Sequence, residues 1–72
     1  MKKTRKRFEE ALKKNNLTAY KLGRILGVGK PTVYYWLWGD SVPKVDTMLK
    51  LTKILNISAE EILEMFADKE QK

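Results

Sequence analysis

The segment KPTVYYWLWG, residues 30 to 39, decides the fold of this chain. Its valine, tyrosines and tryptophans favour a β-strand by propensity alone. A lone strand would leave its backbone N–H and C=O groups unpaired, and the sequence contains no second convincing strand to complete a sheet. Proline is favoured in the first turn of a helix, where its missing N–H is not needed, so Pro31 favours a helix. We therefore predict a helix from Pro31 to Trp38, with Lys30 as its N-cap because a residue before proline prefers extended geometry.

A helix over this segment divides its large side chains between two faces. At about 100° per residue, one arc carries Val33, Trp36 and Leu37, and the opposite arc carries Pro31, Tyr34, Tyr35 and Trp38. We expect the first arc, including Trp36, to lie in the core. Trp38 either belongs to the outer face or folds back over Val42 and Pro43. Contiguous exposed aromatic surface usually marks an interaction site, so the outer face is predicted to contact a partner.

Two amphipathic helices are predicted before this segment. The first runs from about Thr4 to Lys14, and its apolar residues recur at helical spacing: Phe8, Ala11 and Leu12. The second begins after Thr18, whose side chain can cap it, and ends at Gly27, which can adopt the left-handed conformation. Its apolar side is expected to comprise Leu22, Ile25 and Leu26.

Two more helices are predicted after the segment. The fourth ends at Asn56, and its helical spacing is carried by Val45, Met48, Leu49, Thr52 and Leu55. The fifth begins at a capping box, in which Ser58 and Glu61 satisfy free backbone donors. Its apolar stripe is Ile62, Leu63 and Phe66.

At 72 residues the chain is expected to form a single domain, with a basic N-terminal arm at residues 1–7 and a frayed tail at residues 68–72. A chain of this size buries a small core and rarely encloses a substrate-sized pocket as well. It contains no cysteine and no histidine, so thiolate and imidazole metal sites and the usual nucleophile–base pairs are unavailable. We predict that the protein is not an enzyme and uses no metal, cofactor or small-molecule ligand.

The sequence carries no signal for a membrane. No apolar run approaches the roughly 18 residues of a membrane span. The lysine-rich start lacks a signal-peptide core, since Phe8 leads directly into Glu9 and Glu10. A cytoplasmic location is therefore expected.

The net charge of +6 is concentrated in the N-terminal half. Residues 1–30 carry ten Lys and Arg residues against two acidic ones, whereas residues 31–72 carry five against seven. A one-sided basic surface suits a polyanion, with nucleic acid as the first candidate and an anionic membrane as the second. The membrane alternative is weaker because the basic half and the aromatic face do not share one amphipathic helix.

From Phe8 to Phe66 the sequence resembles the phage-repressor type of helix-turn-helix domain, the Cro/CI or XRE-like family of DNA-binding proteins. The likeness needs two helices at a fixed separation, a glycine turn, a glycine stop and later proline, serine and leucine positions together. The residues that carry it are Thr18, Leu22, Leu26-Gly27-Val28, Thr32-Val33, Trp36, Gly39, Pro43, Leu49, Leu55, Ile57-Ser58 and Leu63. The resemblance implies a compact all-α domain of five helices, similar to that of lambda repressor.

The resemblance also implies which residues contact DNA. The helix from Thr18 to Leu26 would lie across the DNA backbone, and the helix from Pro31 to Trp38 would enter the major groove. The family's base-reading positions fall on Lys30, Pro31, Tyr34 and Tyr35. Its backbone-contacting positions fall on Thr18, Ala19, Thr32 and the loop from Gly39 to Ser41. Further candidates for phosphate contacts are Lys21 and Arg24 on the crossing helix and Lys3, Arg5, Lys6 and Arg7 in the arm.

The chain departs from the family pattern at three positions. Members often have glutamine at the position of Ala19, glutamate at Leu37 and a polar residue at Trp38. Amide and guanidinium side chains read a base edge through bidentate hydrogen bonds, but the outer face offers only Lys30 and two tyrosine hydroxyls. We therefore predict modest sequence specificity that rests partly on apolar contacts with thymine methyl groups.

These features predict a transcriptional regulator, a repressor or a comparable control protein, that binds double-stranded DNA as a homodimer. A dimer is expected because one small recognition helix seldom gives enough affinity or site length alone. Its predicted surfaces are the stretch from Asp40 to Asp46 and the last helix with Met65 and Phe66. The alternative is a protein-interaction module on the same fold, such as an antitoxin, an antirepressor or a phage accessory protein. That module would use the face of Tyr34, Tyr35 and Trp38.

Overall fold

The fold is built from five α-helices joined by short turns. The structure is a computed structural model that describes residues 4–67. In chain order the helices are α1 (Lys6–Lys14), α2 (Ala19–Leu26), α3 (Lys30–Trp38), α4 (Val45–Leu55) and α5 (Ala59–Ala67). The predicted all-α, five-helix fold is confirmed, including a helix in place of the strand that propensity favours around Tyr34.

Each helix contributes one fully buried side chain to a common core. These five residues are Phe8, Leu22, Val33, Leu51 and Ile62. The rings of Phe8 and Phe66 meet edge to face with centroids 5.1 Å apart, which ties α1 to α5. No polar or charged residue is buried in the described part of the chain, so the core is held by apolar burial and packing.

Two glycines allow the tight turn between α2 and α3. Gly27 follows α2 with φ of 76°, the left-handed conformation that glycine adopts without strain. A Cβ atom at Gly23 would lie 2.8 Å from the carbonyl oxygen of Val28, so only glycine fits there without a shift. The N–H of Val28 donates to the carbonyl oxygen of Gly23 at 2.9 Å, which closes the turn.

The structure corrects two helix starts. The N-cap of α3 is Gly29 with extended backbone angles, whereas Lys30, which we expected to be the cap, is the first helical residue. The conformational preference of a residue before proline is overridden here, since Pro31 still lies within the first turn, where its missing N–H is harmless. The first helix begins at Lys6 rather than near Thr4, so Lys6 and Arg7 belong to α1 and not to an arm.

The structure also corrects the apolar faces of α2 and α4. Ile25, which we placed on the core side of α2, is exposed, because that helix packs through Ala19, Leu22 and Gly23. On α4 the side chains of Val45 and Leu49 are 71% and 56% exposed. Leu51, which lay outside the predicted stripe, is fully buried. The helical spacing was correct, but the face that turns inward is offset from the predicted one.

Met65 and Phe66, which we predicted to form a dimer surface, are buried within the domain. Their side chains complete the core beneath α1, so neither is available to a second copy. The expectation that they mediate dimerisation was therefore wrong. None of the helices in residues 4–67 is both long and apolar enough to cross a bilayer.

Candidate nucleic-acid interface

The unit formed by α2, the Gly27 turn and α3 presents one side of α3 to solvent. At its start, the hydroxyl oxygen of Thr18 accepts the N–H of Lys21 at 3.1 Å, which caps α2 as predicted. The inner side of α3 packs into the core through Val33, Trp36 and Leu37. Because that inner side is fully used, the opposite side of α3 is left for contact with other molecules.

The outer side of α3 carries the residues that the helical wheel placed there. Lys30 and Pro31 are exposed and Tyr34 is half-buried. Tyr35 and Trp38 are 48% and 39% exposed. The predicted division of this segment into a buried and an outer face is confirmed, and Trp36 lies in the core.

The three aromatic rings on this side form a single cluster. Tyr34 and Trp38, four residues apart, stack with centroids 5.3 Å apart and planes inclined by 28°. Tyr35 meets the edge of Trp38 at 6.5 Å with planes inclined by 68°. Trp38 thus packs on the outer face of its own helix, the first of the two arrangements we considered. We call Tyr34, Tyr35 and Trp38 the aromatic cluster.

The exposed cations of the two helices α2 and α3 lie mainly on α2. Lys21 and Arg24 are exposed, whereas α3 contributes Lys30 alone. The guanidinium of Arg24 donates to the hydroxyl of Tyr20 at 3.0 Å and lies 5.7 Å from the centre of the Tyr20 ring. Tyr20 is therefore the intramolecular partner of Arg24, a contact that the sequence analysis did not predict.

Residues 8–62 match the family model for the helix-turn-helix domain HTH_3. The chain belongs to this helix-turn-helix family. The predicted resemblance to Cro/CI and XRE-like proteins is confirmed. No curated protein and no solved structure gives a significant match to the chain. The family is one of non-catalytic, sequence-specific DNA-binding domains, which makes this chain a DNA-binding protein of the kind used in transcriptional regulation.

Within the helix-turn-helix unit, α2 is the first helix and α3 is the recognition helix. Thr32 lies half-buried in the first turn of the recognition helix, where its N–H donates to the carbonyl oxygen of Gly29 at 3.1 Å. Ser41 is exposed in the loop that follows, and its N–H donates to the carbonyl oxygen of Tyr35 at 3.3 Å. Of the predicted backbone-contacting residues, Thr32 therefore lies at the start of the recognition helix and Ser41 in the loop after its end.

The four residues predicted to act as a basic arm are found in different settings. Lys3 lies outside the described residues, and Lys6 is exposed at the start of α1. Arg7 pairs with Glu64 of α5 at 3.5 Å, and both side chains are more than half exposed. Arg5 is directed at the protein itself: its guanidinium donates to the carbonyl oxygens of Trp36 and Ser41 at 2.7 and 3.1 Å.

Sequence reasoning missed this position of Arg5 for a physical reason. Its partners are 31 and 36 residues away along the chain, and no local pattern signals a contact over that separation. A run of basic residues at an N-terminus has the same appearance whether its members face solvent, phosphate or protein carbonyls. Only the packing of α1 against the end of α3 distinguishes Arg5 from its neighbours.

Proposed function

We propose that this protein is a transcriptional repressor that binds double-stranded DNA as a homodimer, with α3 inserted into the major groove. The observation that supports this most strongly is the outer face of α3, on which Lys30, Pro31, Tyr35 and Trp38 are exposed. Exposed cations on α2 add positive charge to the same helix pair. The major groove of B-form DNA admits one α-helix. Repression is the proposed regulatory sense because a domain bound in the groove excludes polymerase without needing an activating surface.

Base reading is assigned to Lys30, Pro31, Tyr34 and Tyr35. The ammonium group of Lys30 can donate to the O6 and N7 atoms of guanine. Pro31 and the tyrosine rings can contact thymine methyl groups, and the tyrosine hydroxyls can bond to bases or phosphates. The described part of this face offers no amide or guanidinium group, so we expect modest sequence specificity.

Phosphate contacts are assigned to residues around the edge of this face. On α2 they are Lys21 and Arg24, with Thr18 at the helix start, and around α3 they are Thr32 and Ser41. Lys3, Lys6 and Arg7 are proposed as further phosphate contacts. Contacts of this kind fix the orientation of a protein on the duplex and supply most of its salt-dependent affinity. DNA as the partner also supports the expected cytoplasmic location.

The homodimer is assigned to an exposed apolar strip that follows the recognition helix. The side chains of Val42, Val45 and Leu49 are all at least half exposed. The strip overlaps the predicted stretch from Asp40 to Asp46 and extends it by one turn of α4. Contiguous exposed apolar residues on a domain surface often mark a site that another protein covers.

A second candidate function is favoured by the chemistry of the same outer face. Two exposed aromatic rings and a single cation are closer to the composition of a protein-docking hot spot than to that of a base-reading surface. In that case the aromatic cluster would dock into a groove on a protein partner, and the protein would act as an antitoxin or an antirepressor. This alternative predicts that binding tolerates salt and depends on Trp38.

Titration of a labelled random-sequence duplex with the protein, followed by fluorescence anisotropy across about 50 to 200 mM salt, separates the two candidates. Engagement of phosphates gives a log–log slope of about −0.9 for each neutralised charge. A slope of several units supports the DNA-binding function. Absence of binding at the lowest salt contradicts it and favours the protein-docking function.

A further inference from the structure

Arg5 connects the start of the chain to the C-terminal end of the recognition helix. Its backbone N–H donates to the carbonyl oxygen of Leu37 at 2.6 Å. Its guanidinium donates to the carbonyl oxygens of Trp36 and Ser41 at 2.7 and 3.1 Å. The same guanidinium lies 5.1 Å from the centre of the Phe66 ring of α5. We call this set of contacts the Arg5 clamp.

These contacts complete the end of α3. The last turn is already closed by the N–H of Asp40, which donates to the carbonyl oxygen of Tyr35 at 2.9 Å, and by Gly39, whose N–H reaches the carbonyl oxygen of Trp36 at 3.4 Å. This is the pattern of a Schellman motif. The carbonyl oxygen of Leu37 accepts no hydrogen bond within that motif, and the backbone N–H of Arg5 is its donor. A helix end has several such carbonyl groups that need partners from outside the helix.

The electrostatics of the Arg5 clamp favour the same geometry. The C-terminal end of a helix carries partial negative charge, so a cation placed there is stabilised. Hydrogen bonds from a charged donor are roughly twice as strong as those between neutral groups. A single guanidinium also bridges Trp36, inside α3, and Ser41, in the loop to α4, and thereby holds the loop against the helix end.

We propose that Arg5 is a positioning residue of the DNA-binding surface, which fixes the last turn of α3 and the loop through Ser41 instead of contacting phosphate. The residues on either side of the fixed turn are Trp38, in the aromatic cluster, and Ser41, a proposed phosphate contact. Without the clamp the turn would fray, and both residues would be presented in many orientations. This inference rests on the proposed function for its DNA component, whereas its structural component stands apart from DNA.

Hydrogen exchange of the free protein tests the structural component. Arg5→Met keeps an unbranched apolar stem and removes the guanidinium. The matched control, Arg7→Met, removes the same charge two residues further along the chain. Arg7 belongs to an exposed ion pair with Glu64, and such pairs contribute little to stability. We expect the amides of Asp40 and Ser41 to exchange at least about tenfold faster in Arg5→Met, with Leu22 of α2 much less affected. Arg5→Lys, which restores the charge, is expected to be intermediate.

An equal change at Leu22 and at Asp40, or no change at either, would overturn the proposal that the Arg5 guanidinium holds the turn. In the first case Arg5 contributes only to global stability, and in the second it contributes nothing to the turn. The control Arg7→Met should leave the exchange rates at all three amides as they are in the wild type.

Duplex binding across a range of salt concentrations tests the DNA component at a temperature at which every variant is folded. Arg5→Met is expected to weaken binding several-fold at every salt concentration with the slope unchanged, because no phosphate contact is lost. A slope reduced by about 0.9 would show that Arg5 neutralises a phosphate, which contradicts the inference. If the wild type binds no duplex, the proposed function and the DNA component fail together, while the exchange measurement still decides whether Arg5 holds the turn.

Discussion

The rings of Tyr34 and Trp38 stack one turn apart on the outer face of α3, with centroids 5.3 Å apart. Each ring restricts the rotation of the other, so the aromatic cluster is formed before any partner arrives. Preformed side chains lose less conformational entropy on binding than free ones. The outer face of α3 therefore presents a preformed apolar surface to a partner.

Replacement of Trp38 measures how much the aromatic cluster contributes to duplex binding. Trp38→Ala removes the stacked ring, and an aromatic pair of this kind contributes about 0.5–1.5 kcal/mol beyond its buried area. We expect duplex affinity to fall less than about tenfold, since Lys30 and the phosphate contacts remain, and Trp38→Phe to retain most of it. These affinities are measured by anisotropy at one low salt concentration. Complete loss of duplex binding in Trp38→Ala would show that the aromatic cluster carries most of the recognition.

Neutralising the exposed cations of α2 and α3 should have two different effects on binding. Lys21→Gln is expected to make the log–log slope less steep by about 0.9, because it removes one phosphate contact and the counterion release that accompanies it. Lys30→Gln removes a proposed base contact, so it is expected to weaken binding with the slope nearly unchanged. Lys53→Gln, on the exposed side of α4, is the matched control and should leave the slope unchanged. Equal effects of all three substitutions would indicate a general field effect without specific contacts.

Replacement of Gly27 should lower the stability of the domain by an amount that depends on how well the new residue adopts a positive φ. Its φ is 76°, and nothing lies within 4 Å of the place a Cβ atom would occupy, so strain and not collision is the penalty. Gly27→Ala is expected to lower the free energy of unfolding by about 1–2 kcal/mol. Gly27→Asn should cost less, because asparagine tolerates the left-handed region. Denaturant titration of both variants checks the order, and an alanine variant as stable as the wild type would contradict it.

Gly23 should be far less tolerant than Gly27. A Cβ atom at Gly23 would lie 2.8 Å from the backbone oxygen of Val28, so Gly23→Ala forces the turn between α2 and α3 to shift. We expect this variant to lose duplex affinity by more than its loss of stability explains. The comparison needs binding measured at a temperature where the circular dichroism of the variant equals that of the wild type. Unchanged affinity would mean that the spacing of the two helices is not critical for binding.

Two leucines on α4 should differ sharply in their contribution to stability. Leu51→Ala opens a cavity in the core and is expected to cost about 2–5 kcal/mol, a large part of the stability of so small a domain. Leu49→Ala, on the exposed side of the same helix, should stay within about 0.5 kcal/mol when the protein is monomeric. Thermal unfolding at low protein concentration measures both. Similar losses in the two variants would contradict the observed burial.

The apolar spacing, caps and turn residues were sufficient to predict the five helices. Thr18, Gly27 and Asn56 begin or end helices where the sequence indicated, and the two faces of α3 follow from its 3.6-residue period. The inward face of α4 was not predictable in this way. Two apolar stripes overlap on that helix, and which of them is buried depends on where α5 and the other helices lie.

The candidate site was predictable to a smaller extent. The outer face of α3 follows from the helical wheel, but the stacking of Trp38 on Tyr34 depends on side-chain rotation that a sequence does not state. The different role of Arg5 among the basic residues at the start of the chain depends on contacts that span half the chain. Local patterns determine local structure, whereas long-range contacts become visible only when the helices have been packed.

The five fully buried side chains, one from each helix, determine how the domain comes apart. No helix can leave the core without exposing its own buried residue and uncovering those of its neighbours, so α1 to α5 should melt in a single cooperative transition. The outer face of α3 is then formed only in molecules in which the whole domain is folded. At any temperature the fraction of molecules able to bind equals the fraction that is folded, and heat would act on this regulator as a switch between two populations.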